Sequence, residues 1–277
     1  MRIKKVLNNN AAIVVDDGQE KIAIGPGIGF NKGKNDIVSP QKIEKIFVLE
    51  EKDKLEQLLR QIPQEHFDIS EEIISYAEKT LNVSLNEHIH LVLTDHISFA
   101  IQKAQEGLNI ENKLLHEIRI LYPEEFAIGQ WAIQHIKQTL GVELPEDEAG
   151  FIAIHIHTMK PHSNNLQQTL RTTTILQEMM HVIQEEIGFR LDENDWSYQR
   201  LMIHLRFALT NNQTKHHTLD EEMLFMIKRK YLFSYQIARR VVQKISSRFN
   251  ISIPEQEIGY ITLHLERLRQ NHLHEKN

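Results

Sequence analysis

The chain has 277 residues, a formal net charge of −6 and no cysteine. This length suits two or three domains, and the lack of cysteine excludes disulfide bonds and thiolate chemistry. Residues 1–34 carry six basic and three acidic side chains, so a mildly basic N-terminal region precedes an acidic remainder. This distribution argues against a nucleic-acid coat over the whole chain but allows a binding module at the N-terminus. No run of about 18 apolar residues occurs, so we expect a cytoplasmic protein with no membrane insertion.

Residues 1–50 have the composition of β structure. Short runs rich in isoleucine and valine predict four strands, and Asp17-Gly18 is a hairpin signal between the second and the third. The predicted strands are Arg2–Leu7, Ala11–Val15, Glu20–Ile24 and Lys42–Leu49. We therefore predict a small four-stranded antiparallel sheet, which pairing with a second copy would stabilise.

The remainder of the chain has helical periodicity. From Ile69 onward, apolar residues recur at helical spacing, whereas the charged residues 50–63 and the segment Pro161–Asn165 have the composition of linkers. The sequence therefore predicts a multidomain protein, in which the small β domain is followed by two homologous all-α helical bundles. The predicted domains are residues 1–55, 66–169 and 170–277.

Two segments of the helical region recur, which indicates domain duplication. LPEDEAGFIAIH at residues 144–155 matches IPEQEIGYITLH at residues 253–264, with an offset of 109 residues. HISFAI, which begins at His96, matches HLRFAL, which begins at His204, with an offset of 108 residues. Because two separate segments keep nearly the same offset, the similarity is not accidental.

Four histidines at matched positions are the first candidates for chemistry: His96, His155, His204 and His264. A neutral imidazole is a nucleophile near neutral pH and can accept a phosphoryl group, whose anionic oxygens would change packing at a helix face. Core histidines with satisfied hydrogen bonds are the alternative, and the sequence leaves both open. His155-x-His157 has the spacing of metal ligands, but Glu266 replaces His157 in the second repeat, so we assign no metal site.

Residues 25–34, GPGIGFNKGK, form a glycine-rich segment that contains an aromatic residue and two lysines. Its spacing fits neither a dinucleotide site nor a nucleoside triphosphate site, so we expect no cofactor. Two interpretations remain: an ordinary turn with Phe30 in the small core, or an exposed loop that binds RNA through amides, an aromatic ring and lysines. No catalytic constellation is evident, so we assign no catalytic residue and expect a protein that is not an enzyme.

Taken together, these motifs resemble those of the BglG/SacY family of transcriptional antiterminators over essentially the whole chain. The motifs are KVLNNN near the N-terminus, the G-x-G-x-x-F loop with the lysines after it, TDHISFA, and the two P-E-x-E-x-G segments. The segments IEKIF and EEIISYA are most similar to the sucrose branch, the SacT/SacY type.

The resemblance implies a co-antiterminator RNA-binding domain that acts as a homodimer. Such a domain holds an RNA hairpin in the nascent leader transcript and so prevents terminator formation upstream of sugar-utilisation genes. The RNA-binding residues implied in this chain are Lys5, Asn8, Asn10, Gly25, Gly27, Phe30 and Lys32. Some relatives have arginine at the position of Pro26, so the loop contact must differ in detail.

The resemblance also implies two regulation domains of the sugar phosphotransferase system (PTS). Phosphoryl groups would reach His96 and His155 for inhibition, and His204 and His264 for activation or catabolite control. The donors would be the carrier protein HPr and a sugar-specific PTS transporter (enzyme II). Ile203 stands where the first repeat has Asp95, so the two repeats need not be regulated alike.

Two other functions remain as alternatives. A phosphoryl-carrier component of the phosphotransferase system would use the histidines but would leave the β domain unexplained. A DNA-binding activator would need a helical N-terminal module, which the periodicity of residues 1–50 does not support.

Overall fold

The computed structural model describes residues 1–16, 19–43, 45–47, 61–193, 195–210 and 219–275. Its N-terminal part is an antiparallel sheet with the strands side by side in chain order. The strands are β1 (Arg2–Asn8), β2 (Ala11–Asp16), β3 (Gln19–Ile24) and β4 (Lys45–Phe47). The prediction of a small antiparallel sheet followed by helical domains is confirmed.

The last strand starts later than the predicted Lys42–Leu49. Pro40–Lys42 form a short 3-10 turn, with proline in its first position. Proline suits this position because it has no N–H to donate and its φ is already fixed near the helical value. Val48, Leu49 and the predicted Asp17-Gly18 turn lie outside the described residues, although β2 and β3 pair up to Asp16 and Gln19 on either side of that turn.

Both faces of the sheet are apolar and both are covered. Alternating residues divide β2 and β3 between the two faces, as a pleated strand requires. Ile28 and Val38, from the segment after β3, pack on the face that contains Ile3, Ala12, Val14 and Ala23. Phe67, which is 1% exposed, packs on the other face, which contains Ala11, Ile13, Ile22 and Ile24. A helical residue therefore completes the core of the sheet.

Ten helices make up the rest of the described chain. They are α1 (Gln64–Leu81), α2 (Ile89–Gln105), α3 (Leu115–Leu121), α4 (Pro123–Leu140), α5 (Glu146–Thr158), α6 (Leu166–Ile187), α7 (Trp196–Thr210), α8 (Glu221–Lys230), α9 (Leu232–Phe249) and α10 (Glu255–Glu275). Among them, none has the length and apolar character that crossing a membrane would require.

The contacts divide the chain into two compact units. The first unit contains residues 1–112 and 124–164, and the second contains residues 113–123 and 165–277. In the first unit α1 packs on α2, and α2 on α5. In the second unit α10 packs on α7 and α9, while the short α3 packs on α6 and α7. The second unit is thus discontinuous in sequence. The composition of the linkers predicted contiguous domains and did not indicate that residues 113–123 belong to this unit.

A buried glutamate lies at the same helix contact in both repeats, but the two glutamates belong to non-equivalent helices. In the first repeat Glu125 of α4 accepts hydrogen bonds from His157 Nδ1 at 2.9 Å and Lys160 Nζ at 2.8 Å. In the second repeat Ser234 of α9 stands at the position of Glu125 and donates to Glu266 Oε2 at 2.7 Å. Burial alone would raise the pKa of Glu125, but its hydrogen bonds with His157 and Lys160 outweigh burial and lower it to about 2. The buried glutamate and its partner thus exchange helices between the repeats, and Glu266 occupies the position of His157.

Candidate nucleic-acid interface and histidine pairs

The turn between β1 and β2 and the glycine-rich loop after β3 are joined by the side chain of Asn10. Its Oδ1 accepts a hydrogen bond from the backbone N–H of Gly27 at 2.7 Å, and its own carbonyl accepts from the N–H of Gly25 at 2.9 Å. Asn8 Oδ1 in turn accepts from the N–H of Asn10 at 2.9 Å. Four of the predicted RNA-binding residues therefore form one hydrogen-bonded cluster: Asn8, Asn10, Gly25 and Gly27.

The glycine-rich loop lies directly against β1. A Cβ on Gly29 would stand 2.2 Å from the carbonyl oxygen of Asn8, so only glycine fits at this place. Gly27 has a φ of +66°, in the left-handed region that glycine adopts without strain. Ile28 enters the core, whereas Phe30 is 58% exposed. The interpretation that placed Phe30 in the core is wrong, because the neighbouring Ile28 takes that role.

The lysines predicted to contact RNA lie at the surface of the same domain. Lys5 is exposed on β1, and Lys32 is exposed in the turn that follows Phe30. Lys32 is held by a hydrogen bond from its N–H to the carbonyl of Gly29 at 3.2 Å. An exposed aromatic ring, backbone turns and lysines together provide the chemistry that stacks bases and binds phosphates.

Helix α1 contacts this cluster through Asp68. Asn10 Nδ2 donates to Asp68 Oδ1 at 2.8 Å, so both ends of the Asn10 amide are engaged. A cleft of about 470 Å³ lies here, lined on one side by Gly25 and Pro26 and on the other by Asp68, Glu71 and Glu72. Three acidic side chains in the lining disfavour the entry of an RNA backbone into the cleft.

The first histidine pair joins α2 to α5. The rings of His96 and His155 have centroids 4.9 Å apart, and His96 Nε2 lies 3.0 Å from Glu148 Oε2. Within the described part of the chain neither of these two atoms makes a hydrogen bond of good geometry. Burial, together with the charge of His96, lowers the pKa of His155 to about 4. His155 is therefore neutral at physiological pH, as a nucleophilic nitrogen must be.

The second histidine pair joins α7 to α10 in the same way. The ring centroids of His204 and His264 are 4.3 Å apart. Burial is the main reason that the pKa of His264 falls to about 4, and the charges of His204, Arg200 and Arg267 act in the same direction. The pKa of His204 is also lowered, by burial and then by Arg200. The structure thus brings the four predicted histidines together as two pairs.

Each pair lies beside an exposed phenylalanine. Phe99 follows His96 by three residues on α2, and Phe207 follows His204 by three residues on α7, so each ring shares a helix face with its histidine. Phe99 is 44% exposed and Phe207 50% exposed. An apolar surface therefore adjoins each candidate phosphoacceptor site.

Sequence reasoning missed two residues of these sites. Asp95 precedes His96 in the sequence but is exposed, and the carboxylate beside His96 is Glu148. Glu148 recurs as Glu257 in the repeated motif, so its recurrence was the available signal. Asp68 gave no signal, because its contact with Asn10 joins positions 58 residues apart. In the described ranges, no group of three or more candidate ligands is placed to hold a metal ion.

Comparisons with known proteins agree with this architecture. Residues 1–56 match the family described as CAT RNA binding domain. Residues 71–159 and 177–268 each match the family described as PRD domain. The three matches correspond to the β domain and to the two histidine-bearing repeats.

Full-length relatives and one solved structure extend the comparison. The chain is 39% identical to transcription antiterminator LicT of Bacillus subtilis (strain 168), over 97% of this chain and 99% of that protein. It is 34% identical to the beta-glucoside operon antiterminator of Dickeya chrysanthemi, over 97% of both. The crystal structure of GlcT CAT-PRDI is 41% identical, with a TM-score of 0.55, and the match covers 58% of this chain and 98% of that one. These comparisons do not single out the sucrose branch, but they show that this chain belongs to the BglG/LicT family of antiterminators, which join a CAT RNA-binding domain to PRD domains.

Proposed function

We propose that this chain is a transcription antiterminator. It binds an RNA hairpin in the nascent leader transcript of sugar-utilisation genes, and the bound hairpin excludes an overlapping terminator. The names of the full-length relatives and the match of residues 1–56 to a CAT RNA-binding domain support this function. Because its target is a transcript still attached to RNA polymerase, we place the protein in the cytoplasm.

One observation carries the proposal: the hydrogen bond between Asn10 and Gly27 beside the exposed ring of Phe30. This bond holds the glycine-rich loop in a fixed position, so the ring is presented without a large entropic cost on binding. An aromatic ring that stacks on a base contributes roughly 1–3 kcal/mol. In this proposal Lys5 and Lys32 add phosphate contacts, while Asn8, Asn10, Gly25 and Gly27 shape the surface that meets the bases.

A binding titration with matched variants tests the RNA-binding role. The full-length protein is titrated against a hairpin from the leader transcript of its own operon and against duplex DNA of the same sequence. We expect RNA-selective binding that weakens about 5- to 150-fold in Phe30→Ala, as roughly 1–3 kcal/mol implies. Phe30→Leu keeps the apolar volume but removes the aromatic face, so it should weaken binding nearly as much. Equal binding of RNA and DNA, or full affinity in both variants, would refute the proposed surface.

The salt dependence of binding separates phosphate contacts from base contacts. Lys32→Gln should weaken binding to all hairpins alike and reduce the slope of log K against log salt concentration by about one. Phe30→Leu should leave that slope unchanged. A slope unaffected by Lys32→Gln would remove Lys32 from the phosphate-binding set.

We further propose that His96, His155, His204 and His264 are phosphoacceptors, with HPr and a sugar-specific enzyme II as donors. Each PRD domain contains one pair of imidazoles, and in each pair one ring, His155 or His264, has a pKa lowered to about 4, which supports this role. A phosphoryl group would place about two negative charges beside exposed Phe99 or Phe207. Phosphorylation would therefore change how strongly these apolar surfaces pair. Sucrose stays the predicted inducing sugar on the motif resemblance alone.

We propose that these apolar surfaces pair in a homodimer. Trp196, Ile203 and Phe207 are all at least half exposed and follow one side of α7. A two-fold axis would bring two copies of such a surface together and double each contact. Sedimentation at increasing protein concentration tests this: Phe207→Glu should shift the chain toward monomer, and an unchanged association constant would refute the interface.

The phosphoryl-carrier alternative makes a different prediction. A carrier would pass its phosphoryl group on to a second protein or to a sugar, whereas a regulator would keep it until hydrolysis or return to the donor. A chase of the phosphorylated protein with unlabelled PTS components discriminates the two functions, since rapid onward transfer would favour the carrier.

A further inference from the structure

The two histidine pairs differ in the charged groups that surround them. In the first pair, the carboxylate of Glu148 lies 3.0 Å from His96. In the second pair the neighbouring charges are positive. Arg200 precedes His204 by four residues on α7, and Arg267 follows His264 by three residues on α10. Because residues three and four apart share a helix face, Arg200 and Arg267 are on the helix faces that carry the pair.

The arginines are a property of the second repeat and not a requirement of the fold. At the offsets of 108 and 109 residues, the positions of Arg200 and Arg267 correspond to Val92 and Thr158. Neither of these residues can carry a charge. Since the first repeat brings its histidine rings to 4.9 Å without the arginines, they are not needed to bring the pair together.

Among the described residues, the charge of the two arginines is not balanced by an ion pair. Within the part of the chain that the structure describes, no carboxylate forms a salt bridge with either guanidinium. After burial and the charge of His204, the positive charges of both arginines also lower the pKa of His264. The matching carboxylate of the second repeat, Glu257, has a pKa raised by burial and so carries its negative charge less readily. The second pair is thus a pair of neutral rings beside two cations.

We propose that Arg200 and Arg267 form an anion-binding cradle, which holds the phosphoryl group on the second histidine pair and has no counterpart in the first pair. The proposal rests on the phosphoacceptor role proposed above. Guanidinium groups bind phosphoryl oxygens through charge-assisted hydrogen bonds, often two at a time. In the first pair, the carboxylate of Glu148 repels the same oxygens. The second pair therefore retains a phosphoryl group longer than the first.

The phosphoryl donor is a compound that carries the group on nitrogen, such as phosphohistidine in a carrier protein or the reagent phosphoramidate. The lone pair of a neutral ring nitrogen of His204 or His264 attacks phosphorus, and the bond from phosphorus to the donor nitrogen breaks. The departing nitrogen takes up the proton that the attacked ring loses. Arg200 and Arg267 stabilise the negative charge on the phosphoryl oxygens throughout, as cations do in other phosphoryl transfers.

Phosphoramidate labelling of the full-length protein tests the cradle. Phosphohistidine on each of the four histidines is measured by mass spectrometry during labelling and after removal of the reagent. We expect the label to persist on His204 or His264 at least about tenfold longer than on His96 or His155. Arg200→Gln and Arg267→Gln should each shorten that lifetime by about tenfold, with the first pair as an unchanged control in the same molecule. Arg200→Lys, which keeps the charge, should restore part of the lifetime.

Each outcome has one meaning. If both pairs are labelled and the arginine variants lose label as slowly as the parent protein, the cradle is wrong while the phosphoacceptor role stands. If no histidine is labelled in the parent protein, the phosphoacceptor role fails and the cradle fails with it. Circular dichroism of each variant checks that the helices persist. Loss of label from both pairs in Arg200→Gln would indicate a general structural change and would also overturn the cradle.

Discussion

Asp68 of α1 holds the amide of Asn10, and removing its carboxylate should strengthen RNA binding. The hydrogen bond from Asn10 Nδ2 to Asp68 Oδ1 measures 2.8 Å, and its acceptor is charged. A hydrogen bond to a charged group contributes about 1.5–3 kcal/mol, with the lower end expected for this half-buried pair. If RNA must break this bond to reach Asn10, Asp68→Ala should lower the dissociation constant by about tenfold, since 1.4 kcal/mol corresponds to one decade.

The design of the variant separates the contact from a general charge effect. Glu65→Ala removes the same charge from the same helix, but at an exposed position. Neither change removes a partner of the hydrogen bond between Asn10 Oδ1 and Gly27, so we expect the loop to keep its shape. Both variants are titrated against the leader hairpin at a single salt concentration, because affinity for RNA depends strongly on salt.

The RNA affinities of the two variants show whether α1 competes with RNA for Asn10. Tighter binding in Asp68→Ala, with parent affinity in Glu65→Ala, would show that α1 competes with RNA for Asn10. Equal gains in the two variants would mean that only net charge matters. Unchanged or weaker binding in Asp68→Ala would refute the reasoning, because it would show that RNA and Asp68 do not share the amide.

Three further changes have definite expected outcomes. Gly29→Ala should weaken RNA binding and lower the melting temperature of the β domain, because its Cβ would stand 2.2 Å from the Asn8 carbonyl; Gly33→Ala, with open space around it, is the tolerated control. Phe67→Ala should cost roughly 3–5 kcal/mol of stability, measured by urea unfolding of the full chain, since it empties the apolar face of the sheet; a loss below about 1 kcal/mol would contradict that packing. Burial lowers the pKa of His155 from 6.5 to about 4, so its native form is neutral and the unfolded chain binds a proton more readily. The contribution of neutral His155 to the free energy of unfolding is complete above about pH 6.5 and is lost as the pH falls toward 4. At pH 5 the loss is about 2 kcal/mol. His155→Gln should reduce the fall in melting temperature between pH 7 and pH 5, whereas the same change at exposed His181 should not.

Local sequence patterns predicted much of the architecture, because their causes are local. Short runs rich in isoleucine and valine within Ala11–Val15 and Glu20–Ile24 predicted strands, since β-branched side chains pack well on a pleated surface. The matched histidine segments revealed the duplication, because a repeat is visible in the letters themselves. The histidines, the glycine-rich loop and the resemblance they carry therefore needed no coordinates.

Which faces meet was decided only by the tertiary structure. Periodicity placed His96 and His155 on apolar helix faces, but their ring contact depends on how α2 packs against α5. The same packing makes Glu148 the neighbour of His96 and leaves its sequence neighbour Asp95 in solvent. Adjacent residues on a helix point in different directions, so proximity along the chain gives no proximity between side chains.

The contact of Phe67 and Asp68 with the β domain shows the same limit. The predicted helical periodicity begins only at Ile69, so the sequence contained no indication that Phe67 is buried or of the surface that buries it. The small sheet exposes an apolar face that four strands cannot cover, and α1 is the element that fills it. With Phe67 packed on that face, Asp68 at the next position of the helix accepts a hydrogen bond from Asn10.

The sequence by itself determined which residues are apolar, repeated or able to react, because those properties belong to single residues and their near neighbours. Their partners were decided by the packing of distant surfaces, which depends on the shape of the whole unit.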